Sequence, residues 1–194
     1  MSPLVIALLV LVGVVVVFGL IALLWGVGIY NKLVGLRQHL KDSWSGVDVE
    51  LKRRYDLIPN LVETVKGYAT HEQETLQNVI AARNTAVAST GSPAQQAKDE
   101  SQLIGAMRQL SVVVERYPEL KADSQFINLQ GELAETENRI ASTRRLYNGN
   151  VREMNNAVQT FPSNIVAGMF SFKSAEYFEI EDAAVREAPK VSFS

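Results

Sequence analysis

Residues 3–31 read PLVIALLVLVGVVVVFGLIALLWGVGIYN, with no charged side chain from Pro3 to Asn31. About 20 apolar residues in a helix cross the roughly 30 Å hydrocarbon core of a bilayer, so Leu4 to Tyr30 can span one with length left for tilt. A secretory signal peptide is the competing reading. Its apolar region runs to about 7–15 residues, between a basic flank and a small-residue cleavage site. This stretch is longer and has neither flank. Trp25 and Tyr30 stand near one end, where interfacial aromatics belong. The run is read as a retained single-pass anchor, residues 1–31, with membrane lipid as its partner.

Charge gives the anchor a direction. Lys32, Arg37 and Lys41 follow the span while only the terminal amine precedes it, and an excess of Lys and Arg marks the cytoplasmic flank. The N-terminus is therefore expected outside and the C-terminal bulk in the cytoplasm. Inside the span, Gly19, Ala22 and Gly26 fall three and four apart, which puts three small residues on one helical face and lets two such helices approach closely. Glycine and alanine are also common in membrane helices generally, so a self-association face and ordinary composition both fit. The chain has no cysteine and a formal net charge of −2. No disulfide framework or thiol chemistry follows, and with no basic footprint no nucleic-acid partner is expected.

Beyond the anchor the hydrophobic period is helical. Leu40, Trp44, Val47, Leu51, Ile58, Leu61, Val65, Tyr68, Leu76 and Val79 recur at spacings built from threes and fours, the stripe of one long helix packed along one side. Arg54 and Glu72 interrupt it. The segment ASTGSPAQQ (88–96) reads as a linker, with Ser92 as N-cap and Pro93 in the first turn of a second helix. That helix carries Leu103, Met107, Leu110, Val114 and Tyr117 and stops at YPELKADS (117–124), where proline forbids simple continuation. Asp123 or Ser124 can cap a third helix, in which Phe126, Leu133, Ile140, Tyr147, Met154 and Phe161 recur every seven residues. A strict heptad is the mark of a coiled-coil-like seam. FPSNI (161–165) closes it, and a short apolar segment NIVAGMFSF (164–172) leads to the C-terminal tail.

No stretch shows sustained strand alternation, and long helices with short links must bury their stripes on one another. The expected fold is all-α, an N-terminal transmembrane helix continuing into an antiparallel bundle of long helices. The bundle is placed at 32–178 and an extended tail at 179–194. Arg54 in the first stripe, and Glu137 with Arg144 in the third, lie at or beside positions otherwise apolar. A buried charge survives only when paired, and polar seam residues are a well-attested way to fix helix register, so the three are read as structural. Pro59 cannot donate to the carbonyl of Tyr55 and is expected to bend its helix. Lys52 and Arg53 lie about 20 residues past the membrane at roughly 1.5 Å each, too far for lipid if the helix stands upright. They are read as a partner surface.

A search for chemistry ends without a site. HEQET (71–75) resembles a zinc-protease helix, but the second histidine is replaced by Thr75, and His39 is the only other histidine where a catalytic zinc needs three ligands. No Gly-x-Ser-x-Gly elbow is present. The glycines of GVGIYNKLVG (26–35) lie in or beside the membrane helix and follow no strand, so they do not cradle phosphate. Glu132, Glu135 and Glu137 read as a solvated face. No catalytic residue, no metal and no cofactor is expected.

Specific motifs carry a resemblance. YNKLVGLRQHLKDSWSGVDVELKRRYDLIPNLVETVKGYATHEQETL (30–76), Ala82 with Arg83, ERYPELKADSQFINLQGELAETENRIASTRRLYN (115–148), FPSNIVAGMFSFKSAEYFE (161–179) and PKVSF (189–193) together resemble the bacterial LemA family. The likeness covers nearly everything from Tyr30 to Phe193, with Ser124 and Gln125 standing where asparagines are expected and Ser192 where an acid is common. It implies a single-pass protein of the bacterial cell membrane with a helical bundle, and it implies no reaction, since the family has no established catalytic set. Members include a relative associated with magnetosome membranes, and others occur beside a membrane metalloprotease of the HtpX type. The expectation is a non-enzymatic scaffold or interaction protein that forms a homo-oligomer. Its self-association faces would be Gly19, Ala22 and Gly26 and the rings of Phe170, Phe172, Tyr177 and Phe178, unless those rings fold back on their own bundle as a short fourth helix. The alternative is an accessory or regulatory subunit of such a membrane protease.

Overall fold

The computed structural model describes residues 2–180. Among these the secondary structure is helical, with no strand. The expected all-α class is borne out. Helix α1 runs unbroken over Pro3–Tyr68, so the apolar run and the first stripe are one helix. Then come α2 (Gln73–Ala88), α3 (Pro93–Val114), a single turn α4 (Pro118–Lys121), α5 (Ser124–Gln159) and α6 (Ser163–Met169). The tail expected at 179–194 lies, from residue 181, outside the described residues.

Two expectations about element ends are corrected. The first stripe does not continue in one helix to Val79. It stops at Tyr68, and Glu72 N–H bonds the carbonyl of Ala69 at 3.1 Å before α2 begins. Arg83 of α2 donates to the carbonyl of Tyr55 in α1, so the chain has reversed direction. The continuous three-four spacing conceals this because both arms of a helical hairpin carry a stripe on the same period. The seam of α5 is also one heptad shorter than read. Phe126, Leu133, Ile140, Tyr147 and Met154 are buried, whereas Phe161 is 75% exposed and lies past the end of the helix. Pro162 has no N–H and disfavours helical backbone at the residue before it, so the chain leaves the helix before the last apolar heptad position.

The described chain falls into two compact units, residues up to Asp42 with Asn150–Ala175, and Ser43–Gly149 with the segment from Glu176. In the first, Leu33 and Leu36 of α1, Met154 of α5, Val166 and Ala167 of α6 and Phe172 form a buried cluster. Helix α6 ends in a tight reversal. Phe172 N–H bonds Ala167 O at 2.9 Å, Ser171 N–H bonds Gly168 O at 3.3 Å, and Ser171 takes φ 57. That is the Schellman pattern, with serine at the left-handed position usually given to glycine, and its accompanying apolar contact is the return of Phe172 onto Val166 and Ala167.

The second unit buries Val47, Leu51, Ile58, Leu61 and Val65 from α1, Leu76 and Val79 from α2, Leu103 and Leu110 from α3, and the first four seam residues of α5. Helix α2 packs on α3. Ser92 holds the N-cap position of α3 with Pro93 in its first turn, though its hydroxyl makes no cap bond. Asp123 caps α5, its Oδ1 accepting the N–H of Phe126 at 2.8 Å.

Candidate functional site

Three consecutive cations, Lys52, Arg53 and Arg54, leave a helix about 100° apart, so only one can lie in the apolar stripe. It is Arg54, which occupies the stripe between Leu51 and Ile58 and is 1% exposed. Its Nη1 donates to Glu137 Oε1 and Oε2 of α5 at 2.9 and 3.2 Å. Its Nη2 forms an ion pair with Glu100 Oε2 of α3, whose side chain is fully buried. The other Glu100 oxygen accepts the hydroxyl of Tyr55. Gln96 Nε2 adds bonds to Tyr55 Oη at 3.0 Å, to Glu100 Oε1 at 3.3 Å and to the carbonyl of Ala86 at 3.2 Å.

The charges balance by position. Arg54 and Glu100 compensate one another away from water, as a buried pair must. Glu137 is half exposed, and water screens its surplus negative charge. Burial pushes the Tyr55 hydroxyl above the usual tyrosine range, partly opposed by the Arg54 cation, so the hydroxyl stays a proton donor to Glu100. The network ties α1, α3 and α5 together, with Arg54 Nε left buried and without a hydrogen-bond partner and with Tyr55 and Gln96 also lining a groove.

Pro59 has a related consequence. Its ring nitrogen cannot bond the carbonyl of Tyr55, and that carbonyl accepts Arg83 Nε at 3.1 Å instead. The helix continues through Pro59 because α2 supplies the missing donor. Arg144 is half-buried and does not join the Arg54 network. Lys52 is exposed and Arg53 half-buried. Lys52 lines a groove of about 310 Å³ with Asp48, Asp56, Arg83 and Ser89, a lining of both signs. A second groove of about 500 Å³ runs between the arms of the α1–α2 hairpin, past Val62, Lys66, Leu76 and Ile80. Among the described residues no group of His, Cys, Asp and Glu is disposed to hold a metal ion.

In the apolar part of α1, no atom outside the helix comes within 4 Å of where a Cβ would stand on Gly19 or Gly26, and Ala22 is exposed. The four rings assigned to self-association divide between the two units. Phe170 and Phe172 both meet Tyr30, with ring centroids at 4.7 and 5.9 Å. Phe170 is exposed, while Phe172 is buried beneath the Arg37 guanidinium at 5.2 Å. In the other unit Phe178 is fully buried against Trp44, and Tyr177 is exposed.

The alternative, folding back on the bundle, holds for Phe172 and Phe178, which are buried, and α6 is the short helix of that stretch. After Ser171 the described chain leaves helical structure, and α5 holds it by side chains. Asn155 accepts from and donates to the backbone of Ala175 at 2.7 and 3.0 Å. Asn148 does the same for Phe178 at 2.9 and 3.1 Å. Tyr147 donates to the carbonyl of Glu176 at 2.9 Å, and burial pushes its hydroxyl up to about 12. An asparagine side chain mimics one rung of a strand ladder, with one donor and one acceptor. It can therefore secure non-helical backbone where the described residues form no strand. Glu100, Gln96 and the two asparagines were not singled out from sequence, and Tyr55 and Arg83 were named there without these roles. For Glu100 the signal was there, since it lies three residues before Leu103 on the same face.

A model of the LemA family matches residues 43–193. Among curated proteins, the chain is similar to magnetosome protein MamQ 2 of Paramagnetospirillum magneticum, 27% identical over 179 aligned residues that take in 79% of this chain. It is also similar to protein LemA of Metamycoplasma hominis, 24% identical over 156 residues, 80% of this chain and 71% of that protein. The match to magnetosome protein MamQ of Magnetospirillum gryphiswaldense is 25% identical and again covers 79% of this chain. This chain spans 66% of the length of the MamQ proteins.

Proposed function

The chain belongs to the LemA family, and from that premise we propose that it is a non-enzymatic, membrane-anchored scaffold that works by self-association. The observation that carries this reading is the fate of its buried charges. Arg54, Glu100, Glu137, Tyr55 and Gln96 pair with one another across three helices, with only Arg54 Nε of the guanidinium left over, which is what an architectural network does, whereas a catalytic group is aimed at a substrate. The apolar length of α1 fits a single-pass membrane protein. Among the described residues nothing outside the helix stands within 4 Å of a Cβ placed on Gly19 or Gly26, and Ala22 is exposed. Anchoring confines copies to a plane and raises their effective concentration, so weak contacts along that face add to those of the bundle, where the exposed Tyr177 ring and the Lys52–Arg53 edge remain available. The magnetosome proteins among its relatives accord with a part in membrane organisation.

Full-length protein purified in mild detergent should have a light-scattering mass above that of a monomer, and Gly19→Leu with Gly26→Leu should lower it. A monomeric mass across a wide concentration range, with a co-purifying protease, would instead support the accessory-subunit reading.

A further inference from the structure

We propose that α6 and its flanks form a second membrane contact, an apolar patch seated in the interfacial layer of the leaflet from which α1 emerges. Four large apolar side chains of this segment face outward. Phe161 is 75% exposed, Met169 73%, Phe170 56% and Ile165 53%. Phe161, Ile165 and Met169 are not the residues that hold α6 in place, because Val166 and Ala167 enter the cluster with Leu33, Leu36 and Met154. Ile165 and Met169 are one helical turn apart and so share a face. A soluble protein rarely leaves such a group of side chains in water.

The occupant is fixed by where the segment sits against α1. Phe170 packs on Tyr30 with ring centroids 4.7 Å apart, and Tyr30 is the last apolar side chain of the anchor, the place for an interfacial aromatic. Twenty-seven apolar residues, Leu4 to Tyr30, make about 40 Å of helix against a hydrocarbon core of about 30 Å. The last turns of the apolar run therefore already lie in the headgroup layer or tilt within it. A patch in ring contact with Tyr30 lies at that same depth. Exposed Lys32 and Lys173 flank it, and Arg37 lies over Phe172. Apolar side chains at acyl-boundary depth bordered by cations are the make-up of an interfacial element on an anionic leaflet.

The natural absence of cysteine provides the test. Single variants Ile165→Cys and Met169→Cys of the full chain, with Val112→Cys and Leu146→Cys as exposed controls in the other unit, are labelled with an environment-sensitive nitrobenzoxadiazole dye. They are then placed in vesicles of zwitterionic and anionic phospholipid, some carrying a nitroxide just below the headgroup. The expected result is blue-shifted emission at 165 and 169, quenched several-fold more by the nitroxide lipid than at 112 or 146, and independent of protein density. Emission and quenching equal to the controls would overturn the proposal. So would a blue shift that the nitroxide lipid does not quench and that fades as the protein is diluted into lipid, because a second copy would then cover the patch. Phe161→Ser with Ile165→Ser in the Met169→Cys background should move the label toward the control values, while the melting of the detergent-solubilised protein stays unchanged.

Discussion

Arg54 shows how far a single residue can be read before its neighbours are known. A guanidinium in an apolar stripe must either be paired or unfold the stripe, so its burial and its need for carboxylates were legible from spacing alone, and Glu137 was legible as a seam-edge acid. Glu100 was not. The second stripe starts, by apolar spacing, at Leu103, and a carboxylate one turn earlier falls outside it. A charge interrupting one stripe calls for an opposite charge interrupting another, and that pairing rule, applied to both helices together, would have found it. The energetics follow from burial. Arg54→Ala leaves the Glu100 carboxylate buried without its counter-ion, and the expected loss is about 3–5 kcal/mol. Glu137→Gln removes a half-exposed partner and should cost no more than about 1 kcal/mol. Chemical denaturation of the two variants beside the parent checks the order. Equal losses would mean that Glu137, not Glu100, holds the arginine.

Elements were legible where their period was long and illegible where one side chain decides the path. The seam of α5 was read correctly from Phe126 to Met154 because five buried positions at seven-residue spacing leave a strong periodic trace. Its end at Gln159 and the reversal at 69–72 were misread because period says nothing about direction. The non-helical segment after α6 was invisible to period altogether, since what holds it is the amide groups of Asn148 and Asn155 rather than its own pattern. A further prediction belongs here. Asn155 supplies both hydrogen bonds to Ala175, just beyond Lys173, whose peptide bond trypsin recognises. Asn155→Ala should cost about 1–3 kcal/mol through the polar backbone groups left without partners, and should speed tryptic cleavage after Lys173 well beyond any change at exposed Lys66. Cleavage at an unchanged rate would show that packing of Phe172, not the asparagine, holds the segment.

For the molecule as a whole, the anchor and the all-α class were legible because composition and period are summed over many residues, while orientation depends on a few charges and is the property most open to test. Lys32, Arg37 and Lys41 follow Tyr30 closely in sequence, within the distance over which positive side chains bias a helix toward keeping that flank in the cytoplasm. A reporter fused after Ser194 should therefore behave as cytoplasmic, and changing the three cations together to glutamine should give a mixed population. The interfacial patch makes an independent demand of the same sign. Lys32 and Lys173 beside it gain about 1 kcal/mol each near an anionic leaflet and less at a neutral one, and the anionic surface potential belongs to the cytoplasmic leaflet. If α1 were inserted the other way, the cations that border α6 would face the leaflet that attracts them least. A C-terminal tag reached by an impermeant label from outside intact cells would therefore overturn the topology, and would also remove the electrostatic part of the argument for the patch while leaving its apolar part to be tested by quenching.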